Sequence, residues 1–235
     1  MERSEPAVNA ALERTTAEVP SAAVSLAEEQ AATLQAPRRR YGLLARILFI
    51  TMDVVYGRKR TLSKFKVLEV VARVPYQAWE HVAYIALTHK YRTPAFARRI
   101  FGFIEESRRQ QDNEQWHLLI LQELIQARRI SEGFLRFRVF PQILAMTYYQ
   151  ISWLLYVIRP ALSYELNADF EDHAEHEYMA FVQANPAFDD EPWTSAFEDK
   201  YGSYGSLGDV LRQIGVDERH HKEESIARIP KPRFG

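Results

Sequence analysis

Four stretches of the chain set a glutamate among apolar residues at helical spacing, and an unpaired buried carboxylate is among the costliest groups a fold can hold. Glu69 sits in Val67-Leu-Glu-Val-Val71 and Glu171 in Asp169-Phe-Glu-Asp-His173. The other two open the Glu-x-x-His segments Glu114-Gln-Trp-His117 and Glu218-Arg-His-His221. Residues i and i+3 share a helix face, so each of these segments presents a carboxylate and an imidazole together. One such spacing arises easily by chance. The alternation Glu, Glu-x-x-His, Glu, Glu-x-x-His along four helices carries more weight, although Glu69 on an amphipathic helix facing solvent is the bland alternative.

That alternation is the one by which ferritin-like four-helix bundles hold two iron or manganese ions. The chain has no cysteine, which excludes disulfides, thiolate metal sites and a cysteine nucleophile, and leaves Glu, Asp and His as metal donors. Carboxylates with imidazole suit iron better than copper(I). Four glutamates against two divalent ions leave a neutral centre that can be buried. The formal net charge of −1 over 235 residues lacks the basic footprint of a nucleic-acid binder, so no nucleic-acid partner is expected.

The length suits a single domain, read as residues 41–228 with a tail at 229–235. Residues 1–40 read as a disordered acidic extension ending in the basic cluster Arg38–Arg40, with a transient helix near 22–35. This extension has neither the apolar run of a secretory signal nor the acid-poor composition of a transit peptide. Helices are predicted over 62–90, bent at Pro75, and over 95–128, 161–183 and 207–227, with an aperiodic loop from Asn185 to Gly205. No strand-like alternation stands out. Two further segments, 41–57 and 139–158, are apolar and flanked by Arg. The first is too short to span a bilayer and fits either an interface helix or a core helix. The second is twenty residues without a charge, but Gln142, Thr147, Gln150 and Ser152 set a half-immersed helix against a span.

The words around the acids add a resemblance. Val67-Leu-Glu-Val-Val-Ala-Arg-Val-Pro-Tyr76, Asn113-Glu-Gln-Trp-His-Leu-Leu-Ile120, Phe170-Glu-Asp-His-Ala-Glu-His-Glu-Tyr178 and Asp217-Glu-Arg-His-His221 resemble, in order, the four motifs of the alternative oxidase family, nearest its plastid terminal oxidase branch. The resemblance covers about residues 42–226. It implies an all-α, ferritin-like four-helix di-iron bundle with two additional membrane-interface helices, lying monotopically in one leaflet. The implied activity is quinol oxidation coupled to reduction of O₂ to water without proton pumping. The implied partners are quinol, O₂, membrane lipid and a second copy of the chain in a homodimer.

Carried over residue by residue, the metal ligands are Glu69, Glu114, His117, Glu171, Glu218 and His221, holding two iron ions. Tyr178 matches the family's redox-active tyrosine, and its spacing of seven from Glu171 places both on one helix face. Asn113 and Asp217 match residues that orient the ligating imidazoles. Lys64, Asp53 and Glu177 are candidates for the quinol pocket, Lys64 standing where the family has Arg. The departures are Val70 for Thr, His173 for Glu and Tyr164 for the His of mitochondrial members. Of the remaining acids, Glu80 and Glu175 read as solvated. The rival readings are a di-iron oxygenase acting on a quinone precursor or lipid, and a non-catalytic metal-binding peripheral protein. The acidic N-terminus favours a bacterial cytoplasmic membrane.

Overall fold

The computed structural model describes residues 25–234. These are helical apart from turns, loops and an isolated bridge between Pro192 and Ser206. α1 (Leu26–Gln35) and α2 (Leu43–Tyr56) precede the bundle. The bundle's first rod is broken into α3 (Leu62–Ala72) and α4 (Val74–His89), and its second is the long α5 (Pro94–Ala127). A π turn, Leu135–Val139, leads into α6 (Phe140–Ile158). Two rods complete the bundle: α7 (Pro160–Gln183) and, beyond a short 3₁₀ turn and α8 (Glu198–Tyr201), α9 (Leu207–Arg228). The four predicted bundle helices and the two apolar ones are therefore present within a residue or two. The bend expected at Pro75 is a one-residue break at Arg73, whose own backbone stays helical, because proline cannot supply the N–H that would bond four residues back.

Side-chain oxygens of Thr61, Thr93 and Ser206 accept from free N–H groups in the first turns of α3, α5 and α9, which fixes where three of the four helices that carry the predicted ligands begin. One buried cluster joins Leu62, Phe65, Leu121, Leu124, Tyr178, Leu207, Leu211 and Ile214. α7 and α9 pack closely because Gly215 has no side chain: a Cβ there would come within 2.9 Å of Met179 Cε.

α2 and α6 are two-faced. Ala45, Leu48, Met52, Tyr56 and Tyr148 pack with Val67, Leu68, Val71 and Phe170. On the outside Leu43, Ile47, Ile50 and Val54 of α2, and Ile143, Met146, Leu154 and Ile158 of α6, are exposed. So large a bare apolar surface is a liability in water and a natural fit to an interface. No described helix is long and apolar enough to cross a membrane.

Residues 25–40 depart from the expected disordered extension; residues 1–24 lie outside the described residues. α1 starts with a capping box, in which Ser25 Oγ accepts from the Glu28 N–H and the Glu28 carboxylate accepts from the Ser25 N–H. It docks on α7 and α9 through polar contacts: Gln30 Nε2 donates to the Met179 carbonyl at 2.8 Å, and Thr33 Oγ1 to Glu175 at 2.6 Å. Arg219 of α9 donates to the Glu29 carboxylate. The helix expected near 22–35 is thus docked and not transient, because buried hydrogen bonds and ion pairs hold it, and hydrophobicity does not count them. The same network corrects Glu175, which is buried and paired with Lys222 and Arg219. Glu80, likewise expected to be solvated, is only partly so and holds Arg108 at 2.7 Å and Gln111 at 2.7 Å.

A second buried pair, Lys66 with Glu132, ties α3 to the segment after α5, each side chain 8% exposed. Losing one partner strands the other charge, so Lys66→Met is expected to cost about 3 kcal/mol in urea unfolding. Lys66→Met with Glu132→Leu is expected to recover most of that loss; equal losses in the single and double variants would contradict the pairing.

Candidate metal centre

The break after Glu69, the long unbroken α5 and the close α7–α9 pair aim four helices at one point. Glu69 of α3, Glu114 and His117 of α5, Glu171 of α7, and Glu218 and His221 of α9 are all buried, Glu114, His117, Glu171 and Glu218 completely. They form two groups, Glu69–Glu114–His117–Glu218 and Glu114–Glu171–Glu218–His221, within each of which the donor atoms lie within 4.8 Å of one another. Glu114 and Glu218 belong to both, and so sit where carboxylates that bridge two ions would sit. His117 Nδ1 is 3.3 Å from Glu69 and 3.3 Å from Glu218, and His221 Nδ1 is 2.8 Å from Glu114. Both oxygens of Glu114 and Glu218, one each of Glu69 and Glu171, and both Nδ1 atoms are buried without a hydrogen-bond partner. Buried polar atoms are rarely left so. A cage of orphaned oxygens and imidazole nitrogens, with no Lys or Arg among them, fits two divalent cations.

The electrostatics describe what such cations displace. Burial, and then the neighbouring Glu218 charge, hold the Glu69 and Glu171 carboxyls well above their ordinary value. Burial also raises Glu114, but the nearby His117 and His221 imidazoles outweigh it and bring that carboxyl down to about 2. Burial disfavours charge on His221, yet Glu114 and Glu218 raise its imidazole to about 10. Against burial, Tyr201, Asp217 and the glutamates raise His117 well above its ordinary value. Protons therefore neutralise the cluster where metal ions would otherwise do so.

Around the cage, Asp217 accepts from His117 Nε2 at 3.1 Å and from Tyr201 at 2.7 Å and Gln213 at 2.9 Å. This leaves His117 Nδ1 to face the cluster. Asn113 donates to Asp217 at 3.4 Å; it thus reaches an imidazole only through Asp217. Tyr178, fully buried and stacked on Phe65 with ring centroids 4.3 Å apart, donates to Glu69. Sequence reasoning passed over its counterpart. Tyr76 donates to Glu171 at 2.6 Å and accepts from Asn167 at 2.9 Å. Each tyrosine lies seven residues after one lone glutamate and bonds the other, a crossed pair. The spacing that singled out Tyr178 also marks Tyr76, whereas Tyr201 comes from an aperiodic loop that gives no signal.

The three quinol-pocket candidates do not line the cage. Lys64 donates to Asp53 at 2.6 Å and to the Gly57 carbonyl at 2.9 Å, while Glu177 holds Arg38 and Arg60, each at 2.8 Å. Between them His173 stacks on Phe49 at 4.0 Å, its imidazole lowered to about 4 by burial and by the Arg38 and Lys64 charges. The third acid–histidine grouping, Asp172, Glu175 and His176, is satisfied by Lys222, Arg219, Tyr41 and the Arg39 N–H.

A helical bundle with one Glu and one Glu-x-x-His from alternate helices, its donor atoms buried and convergent, is the arrangement of the carboxylate bundles that hold two metal ions. The model of the alternative oxidase family matches residues 29–227, and the chain belongs to that family. It is similar to the chloroplastic/chromoplastic ubiquinol oxidase 4 of Arabidopsis thaliana, 34% identical over 57% of this chain and 35% of that protein. It is also similar to the mitochondrial ubiquinol oxidase 2 of Arabidopsis thaliana, 23% identical over 77% of this chain and 48% of the relative. The mitochondrial ubiquinol oxidase of Mangifera indica is 22% identical, over 76% of this chain and 53% of the relative. The chain thus spans about a third to a half of the length of these relatives. The higher identity to the plastid protein agrees with the plastid-branch motifs. The expectation of a bacterial membrane finds no support among these three plant proteins.

Metal ions must displace protons from groups whose proton affinity is raised, so affinity is expected to rise with pH between 6 and 8, with protons released on loading. Calorimetric titration with ferrous iron in buffers of different ionisation heat reads this, and pH-independent loading without proton release would contradict it. At about a thousandfold excess over the dissociation constant, linkage gives about 4 kcal/mol, raising the unfolding midpoint by about 10 °C. Tyr76→Phe is expected to weaken loading severalfold, by loss of one hydrogen bond on Glu171.

Proposed function

We propose that the protein is a membrane-associated di-iron quinol oxidase, oxidising two quinols for each O₂ reduced to two waters, without pumping protons. The observation that carries this reading is the cage of six buried donors with orphaned atoms, set in a chain of the alternative oxidase family. Glu69, Glu114, His117, Glu171, Glu218 and His221 would hold two irons, which supply the redox chemistry on O₂ when bound. Glu114 and Glu218 lie in both donor groups and would hold the ions together. Asp217 fixes the ring of His117, and Asn113 steadies Asp217. Tyr178 is the chain's own electron and proton donor, its hydroxyl already on Glu69 and its ring sealed from water by Phe65.

The protein lies peripherally on a quinone-bearing membrane, as a homodimer, with the bare faces of α2 and α6 against lipid. Arg40, Arg58 and Lys59, which make no salt bridge among the described residues, flank α2 and meet anionic headgroups. Quinol docks beside the Lys64–Asp53 and Glu177–Arg38–Arg60 pairs. These pairs hold polar groups at the junction of α2 and α7, one residue from both Phe65 and Tyr178.

The test is O₂ uptake by the iron-loaded protein on addition of a short-chain quinol, with cyanide present to silence haem oxidases. One O₂ consumed per two quinols, lost by at least 100-fold in Glu114→Ala, is expected. Uptake with ¹⁸O appearing in an organic product would identify an oxygenase instead, and bound iron without uptake would leave a binding protein.

A further inference from the structure

Away from the metal cage, α4, the start of α5, the end of α6 and the C-terminal residues enclose a cavity of about 690 Å³. Its apolar lining includes Val82, Ile85, Ala86, Phe96, Val157 and Phe234, and its charged lining is cationic throughout: Lys90, Arg92, Arg99 and Arg233. Among the described residues no acid lines it, and none of the four cations makes a salt bridge. Arg99 and Arg233 are held in place by carbonyls, of Phe234 and Val157 respectively, which orients a guanidinium without neutralising it. Trp153 also lines the cavity, and its indole N–H is buried without a partner. The cavity adjoins the bare face of α6, where Leu154, Val157 and Ile158 are exposed.

We propose that this cavity is a binding site for one anionic phospholipid. Its phosphate sits among Lys90, Arg92, Arg99 and Arg233, and an acyl chain in the apolar interior. Charge complementarity selects the occupant: an uncharged apolar ligand leaves four clustered cations unanswered, and a soluble anion leaves the apolar interior empty. The volume lies within the range of sites that hold one ligand-sized apolar body. The site rests on the reading that α2 and α6 lie against lipid, since that places an acyl chain beside α6, and it adds a specific lipid to a surface held by general apolar contact.

The test uses the full chain in mild detergent, titrated with water-soluble dihexanoyl phosphatidylglycerol or dihexanoyl phosphatidylcholine. It is followed by native mass spectrometry and by tryptophan fluorescence, with Trp153→Phe as the spectral control. One phosphatidylglycerol per chain is expected, binding at least tenfold tighter than phosphatidylcholine. Arg92→Gln with Arg233→Gln is expected to weaken it about thirtyfold, at about 1 kcal/mol per basic residue. Equal affinity for the two lipids, or an unchanged double variant, overturns the proposal. So does a double variant that shifts the mass between dimer and monomer without affecting lipid, because a second copy would then cover the cavity. Sedimentation with phosphatidylcholine vesicles separates the underlying reading: the double variant should still bind them. Failure of the wild type to bind any vesicle, with soluble phosphatidylglycerol still saturable, rejects the interface reading and leaves the cavity site standing.

Discussion

Four carboxylates from four helices meet in a space closed to water, and the rest of the molecule is arranged around making that tolerable. Unanswered, each buried carboxylate costs several kcal/mol. Without metal the answer is protons, held on Glu69 and Glu171 by burial and on His117 and His221 by their acidic neighbours. With metal it is two divalent charges against four glutamates. The supporting structure follows from the need to hold those donors still: the capped starts of α3, α5 and α9, the Gly215 gap that draws α7 onto α9, and Asp217 behind His117.

The second constraint is the surface. α2 and α6 spend only one face on the core and leave the other bare, which makes sense where the solvent on that side is lipid. The proposed oxidation of an apolar quinol fits this geometry, with water on one side and lipid on the other. The residues between α2 and the cage carry charge in paired form, Lys64 with Asp53 and Glu177 with two arginines. The junction is therefore polar without carrying isolated charge.

Most of the bundle was legible because its signals are local. A 3.6-residue period marks helices, a proline marks a break, and a carboxylate three residues before a histidine marks a shared face. The six donors could be named from such spacing and from the motifs around them, and they are the six that converge. What was not legible depends on contacts distant in sequence. α1 looks like a polar tail because its partners, Glu175, Met179 and Arg219, lie in helices far along the chain. Glu175 read as solvated for the same reason. Tyr76 was readable in principle, seven residues beyond Glu69, but a tyrosine in an apolar helix reads first as core packing. Tyr201 reaches Asp217 only because the loop after α7 folds back, whereas Gln213 bonds it from one turn earlier on α9.

The six residues are proposed to form one two-metal site and not two unrelated buried clusters. X-ray absorption on the ferrous-loaded protein tests it most directly. Two irons per chain are expected, each ringed by oxygen and nitrogen donors, with a metal–metal vector of about 3.5–4 Å. One iron per chain, or two with no metal–metal vector, would contradict it.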